Sequence, residues 1–374
     1  MSPSHDVIVV GAGIVGAACA AECAGGGLKV LVLDQGPIGG GATGAGMGHI
    51  VVMDDSEAQL ALTAFSRQLW LERRPRLGPD AESVICGTLW VAADAEEMAE
   101  VRRKHGVYAE HGIRSEVLTG AAVADAEPNL RAGMAGGLRV PDDGVVYPPC
   151  VARLLLEEAQ RQGAQIRLGA AVRGLLAEGG VQLEDGSRLA AGCAVNAAGP
   201  WSPALTPGLP VRKRKGHLVV TDRAPGFVRH QIVELGYLKS AHSLSQDSVA
   251  FNIQPRQTGQ VLIGSSRQFD VGSAGVDVPI LGRMLGRAFE YMPGLARLRA
   301  TRVWSGHRPA TPDKLPLIGP SAEGSRIWLA TGHEGLGITT SLGTGRLLAD
   351  LLLGRTPAIP AGPYLPSRFQ GEKP

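Results

Sequence analysis

The chain has 374 residues, 44% of them apolar and 19% charged, with a formal net charge of +2. That length strains a single core, so one large or two interleaved domains are expected, and the near-neutral balance gives no strong pull toward nucleic acid or acidic membranes. The five cysteines, Cys19, Cys23, Cys86, Cys150 and Cys193, are scattered with no CxxC pair, which excludes a disulfide framework, argues against a metal centre and makes the cytoplasm the default compartment.

The N-terminal stretch reads as a strand (Asp6 to Val10), a glycine turn (Gly11, Gly13, Gly16), a helix that Ile14 and Val15 begin, and a second strand (Val30 to Leu33) closed by Asp34 and Gln35. The first glycine makes the tight turn, the second admits a pyrophosphate to the backbone, and the third lets the helix pack on the sheet. The helix N-terminus offers free N–H groups and partial positive charge to phosphates. Asp34 suits a ribose hydroxyl and would repel a 2′-phosphate, which argues against NADP. The whole pattern signals a dinucleotide without separating FAD from NAD. Val7 to Leu28 is apolar enough to imitate a membrane span, but its glycines and its βαβ match favour burial in a core. No signal peptide is expected ahead of so early a turn.

The small residues from Gly39 to Gly48 cannot fill a core, so their use is close backbone approach to a pyrophosphate or a flavin ring. Thr43 there can cap a short helix or bond a phosphate. Met47 and His49 emerge beside the ring, with a merely packed or capping histidine the alternative for His49. A helix over Glu57 to Glu72, a strand over Cys86 to Ala92 and a helix over Glu96 to His111 follow from periodicity. Leu118 to Pro141 reads as turns around a short strand. Pro148 to Gln162 is an amphipathic helix with Pro149 near its start.

Strands are expected over Gln165 to Leu168, Val172 to Ala177 and Val181 to Glu184, with Asp185-Gly186 as a hairpin turn. The apolar strand ending in Ala197-Ala198-Gly199-Pro200-Trp201 puts bare backbone at its carboxyl end, where open α/β sheets bind ligands. Val211 to Phe269 alternates as an antiparallel sheet of a second domain, with Gly259 in a turn. Its opening run, Arg212-Lys213-Arg214-Lys215, is expected to form a solvated strand edge, not a nucleic-acid site. A helix over Val278 to Tyr291 precedes a second strand–glycine–helix unit: Ile327 to Ala330, then Gly332, Gly335 and Gly337, then Ile338 to Leu352. Two such units can aim two helix N-termini at one cofactor, the second where a reduced flavin carries negative charge. The proline-rich tail from Arg355 is expected to drape over the surface.

The motifs VGAGIVGAACA, ATGAGMG, VNAAGPW, SGHRPATPDKLPLIG and ATGHEGLGITTS together resemble the amine- and amino-acid-oxidising flavoproteins typified by glycine oxidase, sarcosine oxidase and D-amino acid oxidase. More narrowly, GMGHIVVMDD and GHEGLGITTSLGTGRLLAD are similar to the FAD-bearing subunit of D-hydroxyproline dehydrogenase, opine oxidase and hydrogen cyanide synthase complexes. The resemblance implies an α/β fold, α+β overall: a discontinuous Rossmann-like FAD-binding domain (1–80, 144–210 and 310–374) interleaved with an antiparallel substrate domain (81–143 and 211–309). It places Gly11, Gly13, Gly16 and Asp34 on the dinucleotide, Thr43, Gly46, Met47 and Gly48 beside the flavin, Val172 on the adenine side, and Ala198, Gly199 and Trp201 near the pyrophosphate. Gly332, His333, Gly335, Leu336, Gly337, Ile338 and Thr339 complete the cofactor set.

By the same resemblance Arg308 clamps the substrate carboxylate, a role that suits its planar fork of donors. Asn252 falls where related oxidases often carry a tyrosine, and Arg267 faces the same region. No cysteine follows Cys193, so FAD is expected to be non-covalent. Tyr147 stands where the sarcosine oxidase β subunit carries a flavin-linked histidine, which leaves a non-covalent FMN at a subunit boundary open. The implied activity is dehydrogenation of a small amino acid or secondary amine, such as D-hydroxyproline, to its imine within a hetero-oligomer, with at most peripheral membrane association. A self-sufficient oxidase making peroxide and a non-catalytic electron relay are the alternatives.

Overall fold

The computed structural model describes residues 4–236, 247–269, 271–322 and 324–369. A six-stranded sheet holds His5–Val10 and Val30–Asp34 at its centre, in the order Leu317–Pro320, Ile327–Thr331, Ala191–Asn196, His5–Val10, Val30–Asp34, Gln165–Leu168. All its neighbours pair in parallel except the antiparallel edge strand Leu317–Pro320. Continuous apolar runs such as Val30–Leu33 suit strands covered on both faces. The first helix (Ile14–Gly25) lies against that sheet and against the last helix (Gly337–Leu352), with Ala17, Ala18 and Leu347 in one core. Their approach is close: a Cβ on Gly345 would stand 2.7 Å from the backbone of Ala18.

The second sheet has eight strands, drawn from 88–140 and 212–310. Its long strands Arg212–Arg223, Gln260–Phe269 and Ala300–Ala310 pair antiparallel, with Arg212–Arg223 between the other two. The helix Val278–Tyr291 closes a core of its own, where Phe251 stacks on Tyr291 at 4.7 Å.

Three expectations need correction. The run Arg212–Lys215 is not an edge: its strand is interior to the sheet, and Arg214 and Lys215 are buried on opposite faces, as a period of two demands. The segment after Leu118 contains a helix, Gly120–Ala126, capped by the Thr119 hydroxyl; its run of alanines and short length hid the period. The tail also anchors rather than drapes, since Tyr364 is buried and donates to Ala58 O at 2.6 Å. Among the described residues no helix is long and apolar enough to cross a membrane.

Candidate active site

A cavity of about 580 Å³ runs from the turn after the first strand to the face of the eight-stranded sheet. At one end stand Gly11, Gly13, Ile14, Val15, Asp34, Gln35 and Val172. The Asp34 carboxylate accepts from Ala12 N–H (2.7 Å) and Gly36 N–H (2.8 Å), which locks the turn while the residue still faces the cavity. Thr43 reaches back across 29 residues to accept from Ile14 N–H at 3.0 Å. It therefore caps the first helix, and no short helix forms around it.

The middle of the wall is built from Gly46, Met47, Gly48 and His49 on one side and Ala198, Gly199 and Trp201 on the other. A Cβ on Gly48 would meet Val146 O at 2.0 Å, so this loop lies directly on backbone. Gln254 fixes it by donating to Met47 O at 2.8 Å. Burial pushes the His49 imidazole down to about 3, so it stands neutral on the wall. The N-terminus of the last helix enters through Gly335, Leu336, Gly337 and Ile338, and no side chain caps it. His333, likewise held neutral by burial, bonds Thr344 Oγ1 at 2.9 Å.

Three of the expected residues lie off the wall. Gly16 packs helix on sheet: its Cβ would stand 2.0 Å from Gly11 O. Gly332 turns over Thr311. Thr339 is a tether: its hydroxyl donates to His49 O (2.8 Å), and its carbonyl accepts from Trp70 Nε1 (2.8 Å).

At the far end Asn252, Arg267 and Arg308 line the wall, joined by Arg214 and Glu334. Arg308 lies opposite Arg214 across paired strands and donates to Ser266 O at 3.1 Å. Its guanidinium occupies the space over Gly216, whose Cβ would stand 2.6 Å from Arg308 Nη1. Glu334 accepts from Arg214 Nη1 at 2.8 Å. Burial alone would raise its carboxyl, but Arg214, Arg308 and Arg267 together draw it down to about 2. Burial lowers Arg267 to about 9, with the neighbouring guanidiniums adding to the effect. Arg214 and Glu334 escaped the sequence reading: the first looked like an edge charge, and the second is an ordinary residue in a glycine turn. Only strand order and the close pass of the 332–336 turn bring them to Arg308.

Two expected results follow. Gly216→Ala should displace the Arg308 head while leaving the sheet intact, lowering kcat/KM on the order of 10²-fold. Steady-state kinetics with unchanged flavin content would check it, and unaltered kinetics would show that the slot is not needed. A depressed carboxyl stabilises the fold where it is ionised and loses that contribution as acid protonates it. Denaturant unfolding of the native chain and of Glu334→Gln should therefore converge as pH falls from 4.5 toward 2. The pH-dependent part should be about 3 kcal/mol. Parallel stability curves would refute it.

The chain's glycine turn, its locked Asp34, its small-residue loop and two helix N-termini on one wall form a cradle that suits FAD, and the volume is that of a cofactor or small-ligand site. Among the described residues no cluster could hold a metal. The family model described as FAD dependent oxidoreductase matches residues 6–351. The hydrogen cyanide synthase subunit HcnC of Pseudomonas aeruginosa is 27% identical, over 100% of this chain and 98% of its own. Glycine oxidase of the same organism is 30% identical, over 97% and 99%. The crystal structure of glycine oxidase from Geobacillus kaustophilus superposes with a TM-score of 0.86 at 28% identity, covering 97% of this chain and 98% of that one.

Proposed function

The chain belongs to the family of FAD-dependent oxidoreductases that act on amino acids, and from that premise we propose that it dehydrogenates a small amino acid or secondary amine as one subunit of an electron-transferring complex. One observation carries the reading: the guanidinium fork of Arg308, whose chemistry suits a carboxylate, is held at the far end of the same cavity that begins at the glycine turn after the first strand. The residues placed on the cofactor wall above, with Arg308 as the clamp and Asn252, Arg267, His49 and Met47 around the substrate, are the roles we assign.

When bound, FAD supplies a two-electron acceptor: the α C–H leaves as hydride, the amine N–H as a proton, and the carbon–nitrogen bond becomes an imine. Arg308 binds the carboxylate in a fixed orientation, which removes much of the entropic cost of alignment. The neutral His49 and His333 add no positive charge that would compete for that carboxylate. The uncapped N-terminus of the last helix supplies partial positive charge along the wall.

The subunit role is supported by the likeness to HcnC, itself named as a subunit. A second, smaller cavity beyond Met47 is lined by Tyr147, Arg256 and Trp304. It is too small to enclose an FMN within this chain, so a second flavin there would need a wall from a partner. The test is to add amino acids, D-hydroxyproline among them, anaerobically to the purified chain and follow flavin absorbance. Bleaching is expected. A flavin that exchanges electrons with a partner yet bleaches with no amino acid would leave the relay alternative, and stoichiometric peroxide from the isolated chain in air would replace the subunit reading with that of an oxidase.

A further inference from the structure

Behind the far end of the cavity a buried ion pair is connected to a wall residue. Gln231, Val233 and Asn252 share one face of the eight-stranded sheet, since Val233 pairs with Asn252 and Gln231 lies two residues before it, and all three line the cavity. Gln231 pairs with Thr88 on the neighbouring strand, and its Nε2 donates to Thr88 Oγ1 at 2.8 Å. The Thr88 hydroxyl donates to Asp143 Oδ2 at 2.7 Å, and Asp143 Oδ1 accepts from Arg67 Nη1 at 2.9 Å. All four residues are buried, and of the four only Gln231 reaches the cavity wall.

Every direction in this chain is set from the Asp143 end. An ionised carboxylate can only accept, so Thr88 gives its one proton to Asp143 and can only accept from Gln231. Gln231 must therefore turn its amide nitrogen toward Thr88. A protonated Asp143 would become a donor, and the hydroxyl of Thr88 would be free to point elsewhere. Burial pushes the Asp143 carboxyl up to about 6, against the pull of Arg67, Thr88 and the Val52 backbone. The other titratable groups coupled to it, Cys86 and Tyr108, are pushed far above neutral pH by their own burial. His230, next to Gln231 in the chain, is bound through Nδ1 to Glu127 instead, at 2.8 Å. We propose that Thr88 is a positioning residue for the substrate: held by Asp143 and Arg67, it orients the Gln231 amide on the cavity wall, and a proton gained by Asp143 releases that amide and loosens the fit. The proposal rests on the amino-acid-dehydrogenating reading above and adds a support to its site.

The test uses two readouts on the FAD-loaded chain, neither of which needs turnover. With glutamine side chains labelled in nitrogen, the Gln231 amide signal, identified by its loss in Gln231→Leu, is followed against pH. Its shift is expected to have a midpoint near 6. Pyrrole-2-carboxylate, a carboxylate with no α C–H to give up, is titrated by perturbation of the flavin spectrum between about pH 5 and 8. Its affinity should be full at the upper end and fall roughly two- to tenfold as Asp143 takes up its proton, the scale of one hydrogen bond. Thr88→Val keeps the shape and leaves Arg67 paired with Asp143; it should show the weaker affinity at every pH and no titration of the Gln231 signal. Thr88→Ser restores the hydroxyl and should bring back both. A merely structural Thr88 would change stability without moving the pH profile. A probe affinity in the native chain that is flat or absent, a titration that survives in Thr88→Val, or native affinity in that variant overturns the proposal. The two readings fail separately: a chain that shows the whole titration yet bleaches with no amino acid would sink the catalytic reading alone, and one that bleaches but shows no titration would sink this one alone.

Discussion

Arg308→Leu is expected to lower kcat/KM by roughly 10²–10⁴-fold with FAD still bound, because breaking a buried, hydrogen-bonded charge pair costs about 3–5 kcal/mol. The estimate is specific to the fork and not to charge in general. Arg214 and Arg267 remain beside the site and would still attract a carboxylate, but neither occupies the slot over Gly216. If Arg308 only adds affinity, the loss appears in KM; if it also aligns the α C–H, kcat falls as well. Arg308→Lys keeps the charge without the planar pair of donors and should fall between the two. Stopped-flow flavin reduction over a range of substrate concentrations separates these effects. A leucine variant that reduces its flavin as fast as the native chain at low substrate would rule out the carboxylate clamp.

Gly11→Ala is expected to yield a chain that purifies largely without flavin. Gly11 sits at φ +121, and an added Cβ would stand 2.4 Å from Ala197 O and 2.8 Å from its carbonyl carbon. Neither neighbour can step aside. Gly11 N–H is bonded to Leu33 O, and Ala197 N–H to Val10 O, within the central strands of the parallel sheet. Overpacking of this kind costs about 1–3 kcal/mol, and left-handed backbone on an alanine adds about 1–2. That energy falls on the turn meant for the pyrophosphate. Gly27→Ala is the control, since Gly27 also has positive φ (+89) but open space where its Cβ would go. It should lose a little stability and keep its flavin. Flavin-to-protein absorbance ratios and thermal melting of both variants check the pair; full flavin content in Gly11→Ala would remove the close approach as the reason for glycine.

The two strand–glycine–helix units were legible in the sequence, because each depends on local spacing: a glycine three residues from another, an acid after the second strand, a period of two or 3.6. The family and the FAD-dependent oxidation of amino acids were legible only through the resemblance that the motifs carry together. The wall residues Gly13, Asp34, Gly46 and Arg308 were legible for the same reason, being carried by contiguous motifs. The hairpin at Asp185-Gly186 and the helix Val278–Tyr291 were read correctly too, since turn chemistry and amphipathic period are local signals. What failed was anything set by which strand lies beside which. Arg212–Lys215 carries the same local pattern on an edge as in the interior, and only its pairing with two long neighbours buries Arg214 against Glu334, 120 residues away. The sequence by itself determined that a dinucleotide is bound, and through its family resemblance the kind of reaction. Only the tertiary structure decided which charges gather at the far end of the cavity, because burial and Coulomb interaction depend on distance in space, and no spacing along the chain encodes that.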